Sequence, residues 1–331
     1  AMIKNLLTLV LFLSTATMCV ADTNILKVYT YDSFISDWGP GPAIEKKFEE
    51  TCNCDLQFIG AGDGAALLAR VQLEGKQTEA DVILGLDTNL TARAKETELF
   101  AKHNKTLDLN LPITWNDDTF IPFDWGYFSF VYNSERITSP PKSFIELAER
   151  SDLKIVIQDP RSSTPGLGLL LWVKAVYGDD AGKIWEGLAP NILTVTKGWS
   201  EAYGLFLDGE ADLVLSYTTS PAYHIIAEND FSIKAAIFEE GHYMQIEVAG
   251  KVLGSDQSDL ADEFLEFMIS DPFQSIIPTT NWMYPVINLK SNLDKAFLSP
   301  ISKNKSLIFD PKTAQENRGP ALNEWLEILS K

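Results

Sequence analysis

The chain has 331 residues, 45% hydrophobic and 22% charged, which is the balance of a folded globular protein long enough for two domains. Acidic residues outnumber basic ones 46 to 27, for a net charge of -19. Such acidity argues against nucleic acid and anionic membrane surfaces as partners and suits a cationic ligand.

Residues 1–21 read as a secretory signal peptide. Lys4 gives a positive start, Leu6 to Leu13 a short apolar core, and Cys19-Val20-Ala21 small residues for cleavage after Ala21. The rival is a lipid anchor on Cys19, for which Thr17-Met18 is a poor signal. No later apolar run reaches membrane-spanning length, so an exported, periplasmic chain is expected. Cys52 and Cys54 then face an oxidising compartment, and their spacing leaves a disulfide and two free thiols both open. With no histidine near them they make a poor zinc site, and no metal site is expected.

Leu26 to Tyr31 alternates as a strand, Ala43 to Thr51 reads as a helix, and Cys54 to Ile59 as a second strand. Gly60-Ala61-Gly62-Asp63-Gly64 leads into an apolar helix through Leu67, Leu68 and Val71. Ala80 to Gly85 is a buried strand, followed by a helix from about Leu90 to Phe100. Phe120 to Tyr132 is a β-prone stretch broken by Pro122, and Ser143 opens a helix. Ile155 to Ile157 is a strand before a long helix through Leu171 and Val176, and Leu213 to Leu215 another. Ala235 to Val248 is extended, with a helix from Asp259 to Met268 after it. This alternation predicts an α/β fold of two lobes joined by two crossing stretches, with a ligand cleft between them at the carboxyl ends of the strands. Lobe 1 comprises residues 22–120 and about 245–290, lobe 2 residues 121–244, and the assignment of segment 291–331 stays open.

Two turns are alike. Ser163-Thr164-Pro165-Gly166 and Thr219-Ser220-Pro221-Ala222 each follow an apolar run and open a helix. Thr164 or Ser220 is placed as the hydroxyl cap and the proline at the first helical position. Two such termini facing one cleft form an anion cradle; taken singly, each is an ordinary helix start. Tyr31, Trp199, Tyr217, Tyr223, Trp282 and Tyr284 lie in or beside strand-end loops, where aromatic faces sandwich a flat or cationic ring, although core packing is the default for any one of them. Asp63 between two glycines is by default an N-cap and otherwise a carboxylate for a cationic or amino group. Helix N-termini for an anion, rings for a ring and acid for a cation together suit thiamine, free or phosphorylated.

The chain resembles the periplasmic thiamine-binding proteins of bacterial ABC transporters. The resemblance rests on Val28 to Phe34, Asp37 to Pro42, Gln158 to Gly168, Thr196 to Gly204, Ser216 to His224 and Asn281 to Val286. It covers nearly all of the chain after the leader and is weakest from Leu289 onward. It implies a type II-like periplasmic-binding-protein fold that captures thiamine, thiamine monophosphate and thiamine diphosphate. It also implies delivery to an inner-membrane permease driven by an ATPase, with no catalysis and no cofactor, and a monomer is expected. Carried over residue by residue, the binding positions are Asp63, Gly64, Ser163, Thr164, Trp199, Tyr217, Thr218, Thr219 and Ser220, with Tyr31, Tyr223 and Trp282 as ring contacts. Ser163, Thr164, Trp199, Thr219 and Ser220 are expected on the phosphate side, and Asp63 near the aminopyrimidine or the cation.

Three other readings compete. A thiaminase-like enzyme on the same scaffold needs a cleft cysteine beside a base, and Cys52 and Cys54 precede a strand at the end opposite the ligand side. A serine hydrolase needs a histidine base, and of His103, His224 and His242 only His224 lies near a candidate loop. A receptor for ferric ion or a polyamine would use clustered tyrosines or acids, without need of the two helix-start turns.

Overall fold

The computed structural model describes residues 24–330; the leader and its cleavage site lie outside the described residues. Ten strands form one mixed sheet: β1 (Asn24–Thr30), β2 (Cys54–Gly60), β3 (Val82–Asp87), β4 (Ile121–Asn133), β5 (Ile155–Gln158), β6 (Ile192–Thr196), β7 (Leu213–Tyr217), β8 (Ile233–Ala235), β9 (His242–Lys251) and β10 (Ser306–Leu307). The order is β2-β1-β3-β9-β4-β7-β5-β6, with β10 on β9 and β8 on β4. β1 to β3 run parallel at one end and β5 to β7 at the other. The antiparallel pair β4 and β9 lies between them.

β4 joins the two halves. Its first part, Ile121 to Tyr127, pairs with β9, and its second, Phe128 to Tyr132, pairs with β7. Pro122 does not break this strand. It sits at a shift of register between Pro122 and Asp124, the kind of irregularity at which a sheet tolerates proline.

Helices α1 (Gly41–Cys52), α2 (Gly64–Glu74) and α3 (Thr91–Glu96) belong with the first three strands. α4 (Phe144–Glu149), α5 (Thr164–Tyr177), α6 (Ala181–Leu188), α7 (Trp199–Leu207) and α8 (Ser220–Glu228) surround the second set. α9 (Ser258–Met268), α10 (Asp271–Gln274) and α11 (Pro311–Leu329) close the chain. The period-2 side-chain alternation of the strands feeds two cores. Leu26, Val28, Val82 and Leu84 pack with Ile44 and Phe48 of α1 and Phe264 and Leu265 of α9. Tyr29, Ile83 and Leu86 face the other way, onto Leu67, Leu68 and Val71 of α2. With both faces covered, these strands are almost continuously apolar.

Three local expectations change. The helix after β3 is short: Glu98 takes a left-handed φ of 59°, which ends it well before Phe100. The extended stretch Ala235 to Val248 is interrupted by a turn. Gly241 there has φ 103° and approaches the carbonyl of Lys305 so closely that a Cβ would lie 2.8 Å from it. The segment after residue 291 ends in α11, capped by Asp310 through the Thr313 N–H at 2.8 Å, and packs on α5, α6 and α3. Cys52 and Cys54 form a disulfide linking the end of α1 to β2.

Candidate ligand-binding cleft

The N-termini of α2, α5, α7 and α8 converge on one cavity of about 530 Å³, and Tyr31, just past the end of β1, with Tyr217 of β7 and Glu247 of β9 lines it. These first-turn N–H groups have no intrahelical partners, so the site is rich in backbone donors. The cap positions differ from the expected ones by one residue. Ser163, not Thr164, caps α5, its Oγ accepting from the Gly166 N–H at 3.3 Å. Thr219, not Ser220, holds the cap position of α8, but its hydroxyl donates to the Trp282 carbonyl at 2.5 Å instead of capping. The Ser220 Oγ accepts from the Tyr217 N–H at 3.3 Å and is 2.6 Å from Ser216 Oγ. Neighbouring hydroxyls are interchangeable to a sequence pattern, and only the backbone angles decide which one caps.

The walls are aromatic. Trp199 stacks on Tyr203 at 4.9 Å, and its Nε1–H donates to Ser216 Oγ at 2.9 Å, which fixes the ring. Trp38, at the mouth, lies 6.1 Å from Trp199. Opposite, Trp282 meets Tyr223 edge-on at 5.2 Å and stacks on Phe297. Trp282 has φ 56°, a left-handed backbone that is unusual for a bulky residue and typical of functional sites.

The floor is acidic. Across β3, β9 and β4 the register sets Asp87 opposite Glu247 and Glu247 opposite Asp124. Tyr31 Oη donates to Glu247 at 3.2 Å, and Asn281 Nδ2 donates to Asp124 at 2.6 Å and to Tyr31 Oη at 2.9 Å. Gln245 Nε2 donates to Tyr217 Oη at 2.7 Å. Burial raises Asp87 and Asp124 to about 7, and burial with the Asp124 charge pushes Glu247 well above the ordinary carboxylate range. Asp63 is also raised to about 7 by burial, partly opposed by bonds from Ser163 and the Trp199 N–H.

Residues 77–309 match the model described as bacterial extracellular solute-binding protein. The chain belongs to the bacterial extracellular solute-binding proteins. Within that family it is 52% identical over 309 residues to the thiamine-binding periplasmic protein of Escherichia coli (strain K12), covering 93% of this chain and 94% of that one. The Salmonella typhimurium protein of the same name is 53% identical over 310 residues, again with 93% and 94% covered. A solved structure called a periplasmic thiamin binding protein superposes with a TM-score of 0.90 at 52% identity, covering 93% of this chain and 97% of that one. The α/β, two-lobed periplasmic-binding-protein fold is thereby shown.

This solute-binding protein gathers most of the expected residues into one place. Asp63, Thr164, Trp199, Tyr217, Ser220, Tyr31, Tyr223 and Trp282 all line the cavity. Gly64, Ser163, Thr218 and Thr219 stand behind it. Gly64 is where α2 meets α5, since a Cβ there would lie 2.3 Å from Thr164 Cγ2. Ser163 supports Asp63 and caps α5. The Thr218 N–H donates to the Tyr127 carbonyl at 2.9 Å, and Thr219 pins the Trp282 backbone. Sequence reasoning missed Trp38, Tyr203, Asn281, Glu247 and Asp124. The last two did carry a signal: each is a lone acid inside a fully apolar strand run, Phe123-Asp124-Trp125 and Ile246-Glu247-Val248.

Proposed function

We propose that this chain is the soluble receptor of an ABC importer that captures thiamine and its mono- and diphosphates in the periplasm. The observation that carries the reading is the cleft itself. Aromatic walls, an acidic floor and helix N-termini meet in one cavity of about 530 Å³, in a chain 52% identical to a thiamine-binding periplasmic protein over nearly its whole length. An aromatic sandwich suits a planar cationic ring, the carboxyl groups suit its charge and amino group, and first-turn N–H groups suit phosphate oxygens. Thr164, Trp199 and Ser220 would face the phosphate, with Ser163 and Thr219 holding them, and Tyr31, Tyr223 and Trp282 would contact the rings.

Lobe 1 is assigned residues 22–120 and about 245–290, and lobe 2 residues 121–244, with β4 and β9 as the hinge. Closure of the lobes on the ligand would present the form that the permease accepts. The chain is proposed to act as a monomer and without a cofactor. Binding without turnover is favoured because no cysteine or histidine among the described residues lines the cavity. Cys52 and Cys54 are bonded to each other, and His224 is held between Tyr203 Oη and Glu228 at 2.7 Å each. A metal cargo held by histidine, cysteine or acidic side chains is disfavoured because Glu45, Glu49 and Asp55, the one close group of three such side chains among the described residues, stands clear of the cavity.

The test is calorimetric titration with thiamine and each phosphate after the chain has been unfolded and refolded to strip ligand. One-to-one binding, weakened in Trp199→Ala and Tyr217→Ala, is expected. No heat with any of the three would sink the reading.

A further inference from the structure

Glu247 occupies an unusual position. It is 5% exposed, and that small exposure is to the ligand cavity. Its neighbours in register are Asp87 on β3 and Asp124 on β4, both fully buried. The other titratable groups facing it are Tyr31 just past the end of β1, Tyr217 from β7 and, farther up the cleft, Asp63 at the start of α2. No lysine, arginine or histidine among the described residues forms an ion pair with any of these carboxyl groups. Asp124 Oδ1 is wholly buried without a hydrogen-bond donor, and the carboxyl group of Glu247, the cross-strand partner of Asp124, lies within hydrogen-bonding reach of the Asp124 carboxyl group. Two carboxyl groups in hydrogen-bonding reach inside a protein cannot both be ionised. One of them must carry a proton, which then serves as the missing donor to Asp124.

We propose that Glu247 and Asp124 share one proton at the floor of the cleft, and that an organic ring cation entering the cavity displaces it. The inference rests on the cation-binding reading above and adds a stoichiometry to it. A single positive charge enters, the O–H bond of the pair breaks, and the proton leaves to bulk water through the cavity that Glu247 lines. The carboxylate left behind faces the cation, so the net charge of the floor is the same before and after. A solute of the same shape without the positive charge leaves the proton in place and gains no such partner. Glu247 is therefore a specificity-determining residue for charge, distinct in role from Asp63, which is occupied with the Trp199 N–H.

The experiment is calorimetry with thiamine itself, whose quaternary ring charge does not titrate, in buffers of different ionisation enthalpy near neutral pH. The dependence of the heat on the buffer gives the protons released. The expected result is release approaching one proton. Below the titration of the pair, affinity should then rise about tenfold per pH unit. In Glu247→Gln the release and the pH dependence should vanish, with weaker but measurable binding. If that variant does not fold, Asp124→Asn is read in its place; the amide donates to Glu247, leaves it ionised and likewise ends the release. Binding by the wild type with no proton release, or release that persists in the folded variant, would overturn the proposal. A separate reading needs no ligand: the infrared carbonyl band of protonated carboxyl groups should be present in the stripped protein near neutral pH and should lose the intensity of one such group in Glu247→Gln, the rest coming from Asp63 and Asp87. A band absent from the wild type, or unchanged in Glu247→Gln, overturns the shared proton even if thiamine proves not to be the solute, whereas the loss of one group's intensity with no thiamine heat sinks only the choice of ligand.

Discussion

Asp63 Oδ2 accepts a hydrogen bond from the Trp199 N–H at 3.2 Å, so the residue that starts α2 caps α7 from the other half of the molecule. Beside it, the Ala66 N–H donates to the Ser162 carbonyl at 3.0 Å. The two halves thus meet through helix N-termini, and the bridge is made by an acid held at about 7. Asp63→Ala removes the bridge together with a buried carboxyl group. A hydrogen bond to a charged group contributes about 1.5–3 kcal/mol, so thiamine affinity should fall about tenfold or more. The melting temperature of the ligand-free chain should not fall, because an incompletely satisfied acid goes with it. Calorimetry and thermal melts check both; equal affinity would refute the bridge's part in binding.

Trp199 is held by its ring and by its indole N–H, and the two contributions can be separated. Trp199→Phe keeps a face for the ligand and loses the bond to Ser216 Oγ, while Trp199→Ala loses both. Burying an aromatic face against the phosphate end of the ligand contributes about 2 kcal/mol. Alanine should therefore weaken thiamine monophosphate binding by up to about thirtyfold, and phenylalanine by only a few-fold. Equal losses in a titration would place the effect in the hydrogen bond and not in the face.

The pH dependence of stability has a definite sign. Asp63, Asp87, Asp124 and Glu247 are raised in the folded state, so between their unfolded values near 4 and their folded values the native chain binds more protons than the unfolded one. Stability from these groups is complete below the unfolded range and is lost as pH rises to about 7 and beyond. Asp159 is lowered, burial being outweighed by bonds from Arg161, so its contribution is lost only as pH falls below about 4. The stripped protein should therefore melt higher at about pH 5 than at about pH 8. Thiamine should stabilise it more at the higher pH. A melting temperature that rises steadily from pH 5 to pH 8 without ligand would contradict this account.

Gly85 lies under Tyr31. It has φ 119°, and a Cβ there would stand 2.3 Å from Tyr31 Cδ1. Gly85→Ala both strains the backbone and pushes the ring that donates to Glu247. Overpacking of this kind costs about 1–3 kcal/mol, so chemical denaturation should show a loss in that range together with weaker thiamine binding.

The disulfide between Cys52 and Cys54 lies outside the cavity. It closes a very small loop, for which chain entropy gives at most about 2 kcal/mol. Replacing both cysteines by serine should lower the melting temperature by a few degrees and leave thiamine affinity unchanged.

Much of this was legible in the sequence because it is local. Strand and helix runs such as Leu26 to Tyr31 and Asp259 to Met268 carry their own periodicity, and the prolines at 165 and 221 mark helix starts without help from tertiary structure. Tyr31, Trp199, Tyr217, Tyr223 and Trp282 of the cleft were legible through the loops that hold them and through the family resemblance, whereas Trp38 and Tyr203 were not. The acids of the floor were not. Asp87, Asp124 and Glu247 come from three strands far apart in the chain, and only the antiparallel registers of β3 and β4 on β9 bring them into one row. The same limit applies to Asn281, which reaches Tyr31 and Asp124 from a loop that has no periodic pattern. Ser163 and Thr164 show the reverse case, where the element was legible and the single capping hydroxyl was not.

The placement of the acidic row on β4 and β9 has a mechanical consequence. In a molecule that opens about these two strands, displacement grows with distance from them. Trp38 and Leu207 at the rim travel farthest, while Glu247 and Asp124, paired in one ladder, keep their spacing. The charged end of a solute is then gripped at the fulcrum, and opening uncovers its other end first. A transporter drawing on this protein would meet the solute rim-first, with the ionic contact the last to break.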